Sequence, residues 1–77
     1  MPNALATQVE ETLRPVIGTV LARVSVDVES RRIGKTPETI QHADLPVIAD
    51  NLLAALHLVV GQEMADAAAR KVRALER

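Results

Sequence analysis

The 77-residue chain contains no cysteine and no phenylalanine, tyrosine or tryptophan. The absence of cysteine excludes disulfides and thiolate metal sites. The absence of aromatic rings leaves only aliphatic side chains to fill a core, and these bury less area each. Nearly half of the residues (48%) are hydrophobic, yet a single domain of this size hides only about 60% of its unfolded surface. We therefore expect a second copy of the chain to complete the core.

Neither sign of charge predominates, because the formal net charge is only −1 and acidic and basic residues are interspersed along the chain. No segment predicts the strong field that recruits phosphates or lipid headgroups. The longest apolar run, from Leu52 to Val60, is interrupted by His57 and is shorter than the ~20 residues of a membrane span. The first residues lack the basic and apolar segments of a signal peptide. These features predict a cytoplasmic location with no membrane partner.

Residues with catalytic potential are few and isolated. His57 has Leu53 and Gly61 as its helical neighbours, and neither can orient a general base. His42 falls in a connecting segment, and Ser25 has no adjacent base or glycine elbow. The glycines occur singly rather than as a phosphate-binding loop. We predict no enzyme activity, no metal site and no cofactor.

A long first helix is predicted over residues 4–33, with Asn3 as its N-cap and Gly34 as its stop. Pro15 removes a backbone donor, so a kink or break is expected there. The spacing of the apolar residues is that of a helix. These residues are Val9, Leu13, Val16, Ile17, Val20, Leu21, Val24 and Val28.

A strand over residues 20–28 is the alternative for this region. Val24, Val26 and Val28 alternate with polar residues, and β-branched residues favour strands. No second strand-like run or hairpin turn exists in the chain to pair with it. The pattern therefore favours the helix.

Two further helices are predicted over residues 45–60 and 62–75, after a short turn over 37–41. Asp44 is expected to cap the second helix, Gly61 separates the two helices, and Ile40 in the turn is expected to point inward. The second helix is apolar around most of its circumference, as in a helix buried on more than one side. The third helix is rich in alanine, which permits close packing.

These elements predict an all-α fold, a small three-helix bundle with a long Pro-kinked first helix, completed by dimerisation. The second helix carries more apolar surface than the first and third helices can cover. One version packs the first helix against its symmetry mate along Gly18, Ala22 and Ser25. The predicted function is a non-enzymatic homo-oligomerisation or protein-interaction module with a scaffold or accessory role. Its predicted interface residues are Leu13, Ile17, Leu21, Val26, Leu53 and Leu58.

Two alternatives come from other functional classes. A DNA-binding regulator would use the basic residues of the third helix, but that helix begins with Glu63 and Asp66, where base-reading residues should lie. A bundle that binds an apolar ligand is the other alternative, since a core without aromatics leaves room for a cavity. The residues that would contact nucleic acid are Arg70, Lys71, Arg73 and Arg77.

Overall fold

Three α-helices make up most of residues 1–75, the part of the chain that the computed structural model describes. No strand occurs within residues 1–75, so the all-α prediction is confirmed and residues 20–28 are helical. The elements in chain order are α1 (Ala4–Arg32), a 3-10 turn (His42–Asp44), α2 (Leu45–Val60) and α3 (Gln62–Ala74).

Helix α1 is broken at Gly18 rather than at Pro15. Gly18 has φ 84° and ψ 167°, a backbone region that is open essentially to glycine alone. Pro15 keeps helical angles, and the predicted kink at this proline is not confirmed. A proline ring fixes φ near −65°, which a helix accepts, whereas the reversal of the chain needs a positive φ.

The two halves of α1, residues 4–17 and 19–32, fold back on each other as a hairpin. The amide of Asn3 donates to the carbonyl of Pro37 at 2.9 Å, which places the start of the first half beside the end of the second. Midway along the hairpin, Glu10 Oε1 lies 3.5 Å from Arg23 Nε. Asn3 also caps α1 as predicted, because its side chain accepts from the amide of Ala6 at 2.8 Å.

Helices α2 and α3 contact each other more extensively than either of them contacts α1. They meet at Gly61, whose positive φ of 85° ends α2 and starts α3. Alanines on the inner face of α3 let the two axes approach closely. The buried residues of this pair are Leu45, Ile48, Ala49, Leu52, Leu56, Ala65, Ala68, Ala69 and Val72.

The connector between α1 and α2 is fixed by polar contacts. Ile40 points inward as predicted and is buried. Asp44 does not cap α2 through its side chain, which corrects the sequence-based prediction. Its carboxylate instead accepts from Lys35 Nζ at 2.7 Å and from the amide of Gln41 at 2.8 Å. The hydrogen bond from Lys35 holds the pKa of Asp44 below its usual value.

Candidate interaction surface

One face of the second half of α1 is apolar and open to solvent. Val20, Leu21, Val24 and Val28 are 74%, 52%, 49% and 43% exposed. Their steps of one, three and four residues place them on one side of a helix. We call these four residues the exposed stripe. Ile17 lies before the break at Gly18 and is half-buried against the core.

The opposite face of the same helix segment faces the chain's own core. Ala22 and Val26 are buried, and each lies two residues from Val24, which is about 200° around a helix. This segment therefore carries apolar side chains on two opposite faces, and the fold covers only one of them. A helix of this kind is normally buried on both sides.

Charges of alternating sign follow one side of the exposed stripe. Arg23, Asp27 and Arg31 are spaced one helical turn apart, and Arg31 Nε lies 3.0 Å from Asp27 Oδ1. Arg23 also contacts Glu10, as described above, and Glu10 is buried although it carries a charge. We call the row Arg23, Asp27 and Arg31 the charged edge. Its order of positive, negative and positive charge can complement a second copy of itself.

A groove of about 410 Å³ lies beside the charged edge and is open to solvent. It separates the second half of α1 from the start of the chain and from the turn after α1. Its lining mixes carboxylates, guanidinium groups and apolar atoms, so it is not an enclosed apolar chamber. The lining residues are Pro2, Glu10, Arg23, Val24, Val26, Asp27, Arg31, Pro37 and Glu38.

A second apolar patch surrounds the α2–α3 corner. Leu58, Val59 and Met64 are 88%, 67% and 49% exposed, and we call them the corner patch. His57 and Glu63 lie between or beside them in the sequence and are exposed. This patch exposes about as much apolar side chain as the exposed stripe, but it spans two helices and does not follow one helix face.

Residues His42–Val60 are long and apolar enough to cross a membrane, because this segment of 19 residues contains an 18-residue window with a mean hydropathy of 1.6. The inner helix of a soluble protein meets the same criteria, so length and composition alone are weak evidence. In this fold the segment packs one face against α1 and α3. Leu45, Ile48, Leu52 and Leu56 supply that face.

The structure separates the six predicted interface residues. Leu13 and Val26 lie in the core of the chain itself and are unavailable to a second copy. Ile17 and Leu53 are half-buried against that core. Leu21 belongs to the exposed stripe and Leu58 to the corner patch.

The predicted set omitted the other three members of the exposed stripe, Val20, Val24 and Val28. Their helical spacing is visible in the sequence, but spacing alone does not show which part of the helix the fold leaves exposed. The predicted contact along Gly18, Ala22 and Ser25 also does not fit the structure at two of its three residues. Gly18 breaks the helix, and Ala22 is buried within the chain.

The basic residues of α3 are exposed but not free of acidic neighbours. Arg73 Nη2 pairs with Asp50 Oδ1 across the α2–α3 contact. Arg70 and Arg73 line a second open groove of about 310 Å³, and Asp66 lines it with them. Lys71 is exposed. Arg77 lies outside the described residues. The acidic groups lower the positive potential of this face, which does not favour a nucleic-acid partner.

The titratable side chains of residues 1–75 are the candidates for metal ligands and for buried charges. No group of three or more histidines or carboxylates there is placed to hold a metal ion. His42 and His57 are exposed on different elements. Glu29 is buried, and its Oε1 atom lies 3.5 Å from Arg32 Nε but has no hydrogen-bond partner. Glu29 therefore carries an electrostatic cost that the described contacts only partly offset.

Comparison with known proteins does not assign this surface to a family. The chain matches no family model, no curated protein and no solved structure.

Proposed function

We propose that this chain is a non-enzymatic homodimerisation module, with a scaffold or accessory role, that pairs through the exposed stripe. The observation that carries the proposal is the open apolar face of α1, formed by Val20, Leu21, Val24 and Val28. Large apolar side chains in a continuous row on a small domain are typical of an interaction site. The row contains no group that can accept or donate a proton, so it suits binding rather than catalysis.

The size of the exposed stripe sets the expected affinity. Its four exposed fractions together amount to about two whole aliphatic side chains per copy. Burying one such side chain contributes about 2 kcal/mol, so two copies gain about 8 kcal/mol. Association costs about 4–15 kcal/mol in lost translational and rotational freedom. At the lowest association cost the net gain is about 4 kcal/mol, so we expect a weak, reversible dimer with a dissociation constant of about 1 mM.

A second copy is the partner that the charges favour. The charged edge carries both signs in alternation, so it repels a strongly acidic or strongly basic partner at one position or another. A copy of the same edge offers the matching alternation. Specific protein contacts commonly place complementary charges at the rim of an apolar centre.

Sedimentation equilibrium on the unmodified chain and two variants tests the proposal. Val24→Glu places a charge in the middle of the exposed stripe and is expected to weaken the dimer at least tenfold, because a buried charge without a partner is costly. Leu58→Glu makes the same change at a more exposed apolar residue on the corner patch, and it is expected to leave the dimer intact. Circular dichroism of both variants serves as the check that they remain helical.

Three possible results decide whether the proposal holds. A monomeric unmodified chain at concentrations far above the expected dissociation constant overturns the proposal. A dimer that Leu58→Glu disrupts and Val24→Glu preserves moves the interface to the corner patch and also overturns it. Loss of the dimer in Val24→Glu alone supports the exposed stripe as the interface.

A further inference from the structure

We propose that the two copies pair their α1 segments antiparallel, with Val24 on the two-fold axis and Val20 of each copy against Val28 of the other. This inference rests on the proposed function and specifies the arrangement of the same surface. Val20 and Val28 each lie four residues from Val24. The three valines of the stripe are therefore evenly spaced about Val24, so a two-fold pair centred on Val24 sets Val20 of each copy against Val28 of the other, with the same patch used on both copies.

The charged edge distinguishes antiparallel from parallel pairing. In an antiparallel two-fold pair, the same side of each helix faces the same side of its partner, so the two charged edges lie together. In a parallel pair the symmetry axis runs along the helices, and the two charged edges lie on opposite sides of the interface. The alternating charges gain partners only in the antiparallel arrangement.

The register about Val24 brings opposite charges together. Arg23 lies one residue before Val24, and Asp27 lies three residues after it. In antiparallel pairing, Arg23 of one copy and Asp27 of the other therefore differ by two residues along the axis, which is about 3 Å. Symmetry repeats this contact, so two Arg23–Asp27 pairs flank the axis. Two Asp27 side chains are six residues apart along the axis, or about 9 Å, and two Arg23 side chains are two residues apart, or about 3 Å. Arg23 lies about 100° around the helix from Val24 and Asp27 about 60°, so Asp27 lies nearer the seam and nearer the partner's Arg23 than the two Arg23 side chains lie to each other.

The existing contacts of these side chains are compatible with the pairing. Arg23 is largely exposed, and its contact with buried Glu10 is made through Nε, which leaves the terminal nitrogens of the guanidinium for the partner. Asp27 accepts from Arg31 through Oδ1, which leaves Oδ2. The groove beside the charged edge is open to solvent and gives these side chains room to extend toward the second copy.

Cysteine cross-linking reads the register directly, because the chain contains no cysteine of its own. Val24→Cys is expected to form a disulfide-linked dimer by itself, since residue 24 meets its own copy. Val20→Cys and Val28→Cys are each expected to cross-link slowly alone and rapidly when mixed. Leu58→Cys, at the most exposed residue of the corner patch, measures the rate of random collision.

Parallel pairing predicts a different pattern, in which all three stripe variants cross-link by themselves and mixing adds nothing. That result overturns the antiparallel arrangement and leaves the proposed dimer in place. Rates for every stripe variant that equal the Leu58→Cys rate, together with a monomeric unmodified chain, overturn both.

Charge exchange gives an independent test. Arg23→Glu alone and Asp27→Lys alone each create two like-charge contacts in a homodimer, and each is expected to weaken the dimer about tenfold. A mixture of the two variants restores opposite charges at both contacts, so it is expected to form heterodimers with near-original affinity. The repulsion that Arg23→Glu introduces toward Glu10 within one chain is the same alone and in the mixture. Equal weakness of the mixture and the single variants therefore overturns the assigned charge pairs.

Discussion

The break at Gly18 predicts that the stability of the fold depends on the chirality of the residue at this position. Gly18 has φ 84° and ψ 167°, where an L residue is strained. The mirror image of these angles is an extended conformation that L residues adopt freely. D-alanine therefore fits the folded chain at this position, whereas L-alanine does not. A chain of 77 residues is accessible to chemical synthesis, so both substitutions can be made.

The magnitude of the effect comes from the backbone alone. A Cβ atom added to Gly18 meets no other atom within 4 Å, so no steric clash contributes. Holding L-alanine in this backbone region costs about 1–3 kcal/mol of unfolding free energy. D-alanine instead restricts the unfolded chain without strain and is expected to stabilise the fold by about 0.4–1 kcal/mol. Since small domains lose about 1 kcal/mol per molar urea, the L variant shifts the midpoint down by about 1–3 M.

Urea denaturation followed by circular dichroism measures both variants at one chain concentration. Thr19→Ala is the matched control, because residue 19 is exposed and helical and its change is expected to stay within about 0.5 kcal/mol. If α1 were one continuous helix, L-alanine at position 18 would stabilise it by about 1 kcal/mol and D-alanine would destabilise it. That reversed order of the two enantiomers would refute the hairpin.

Two further predictions concern charged side chains. Glu29→Met is expected to raise the unfolding free energy by about 1 kcal/mol, because it removes a buried carboxylate oxygen that has no hydrogen-bond partner. The same substitution at the exposed Glu11 serves as the control. A lower stability of Glu29→Met in urea would contradict the argument. Lys35 holds the pKa of Asp44 down, so the contribution of this pair to stability is complete above the unfolded pKa of about 3.9 and is lost as the pH falls through the folded pKa. Lys35→Met is therefore expected to flatten the fall in stability toward acid pH, and an unchanged slope in urea titrations from neutral to acidic pH would argue against the pair.

The helices could be predicted from the sequence because their ends carry local signals. Asn3 accepts a hydrogen bond at the start of α1, and Gly61 separates α2 from α3. Ile40, in the turn predicted over residues 37–41, is expected to point inward, and it is buried. These features depend on residues close in sequence, so spacing and residue type suffice to predict them. Asp44 accepts from Lys35 and does not cap α2, because the fold of the connector brings together two residues that are nine positions apart in the sequence.

The position of the break could not be predicted, because two residues in the same helix can interrupt it. Proline is the stronger helix breaker by intrinsic propensity, at about 3 kcal/mol against about 1 kcal/mol for glycine. Pro15 nevertheless stays helical, since the reversal needs a backbone conformation that proline cannot adopt and Gly18 can. The choice depends on the core formed after the chain has reversed, which is a tertiary effect.

The break also determines which of the regularly spaced apolar residues of α1 are buried and which are exposed. The spacing that begins at Val9 and Leu13 continues through Gly18 to Val24 and Val28 without a change of period. In a straight helix all of these residues share one face. The hairpin instead turns Val9 and Leu13 into the core and leaves Val24 and Val28 exposed. Because the same reversal creates the core and the open face, a variant that straightens α1 must lose the proposed antiparallel dimer together with the native core.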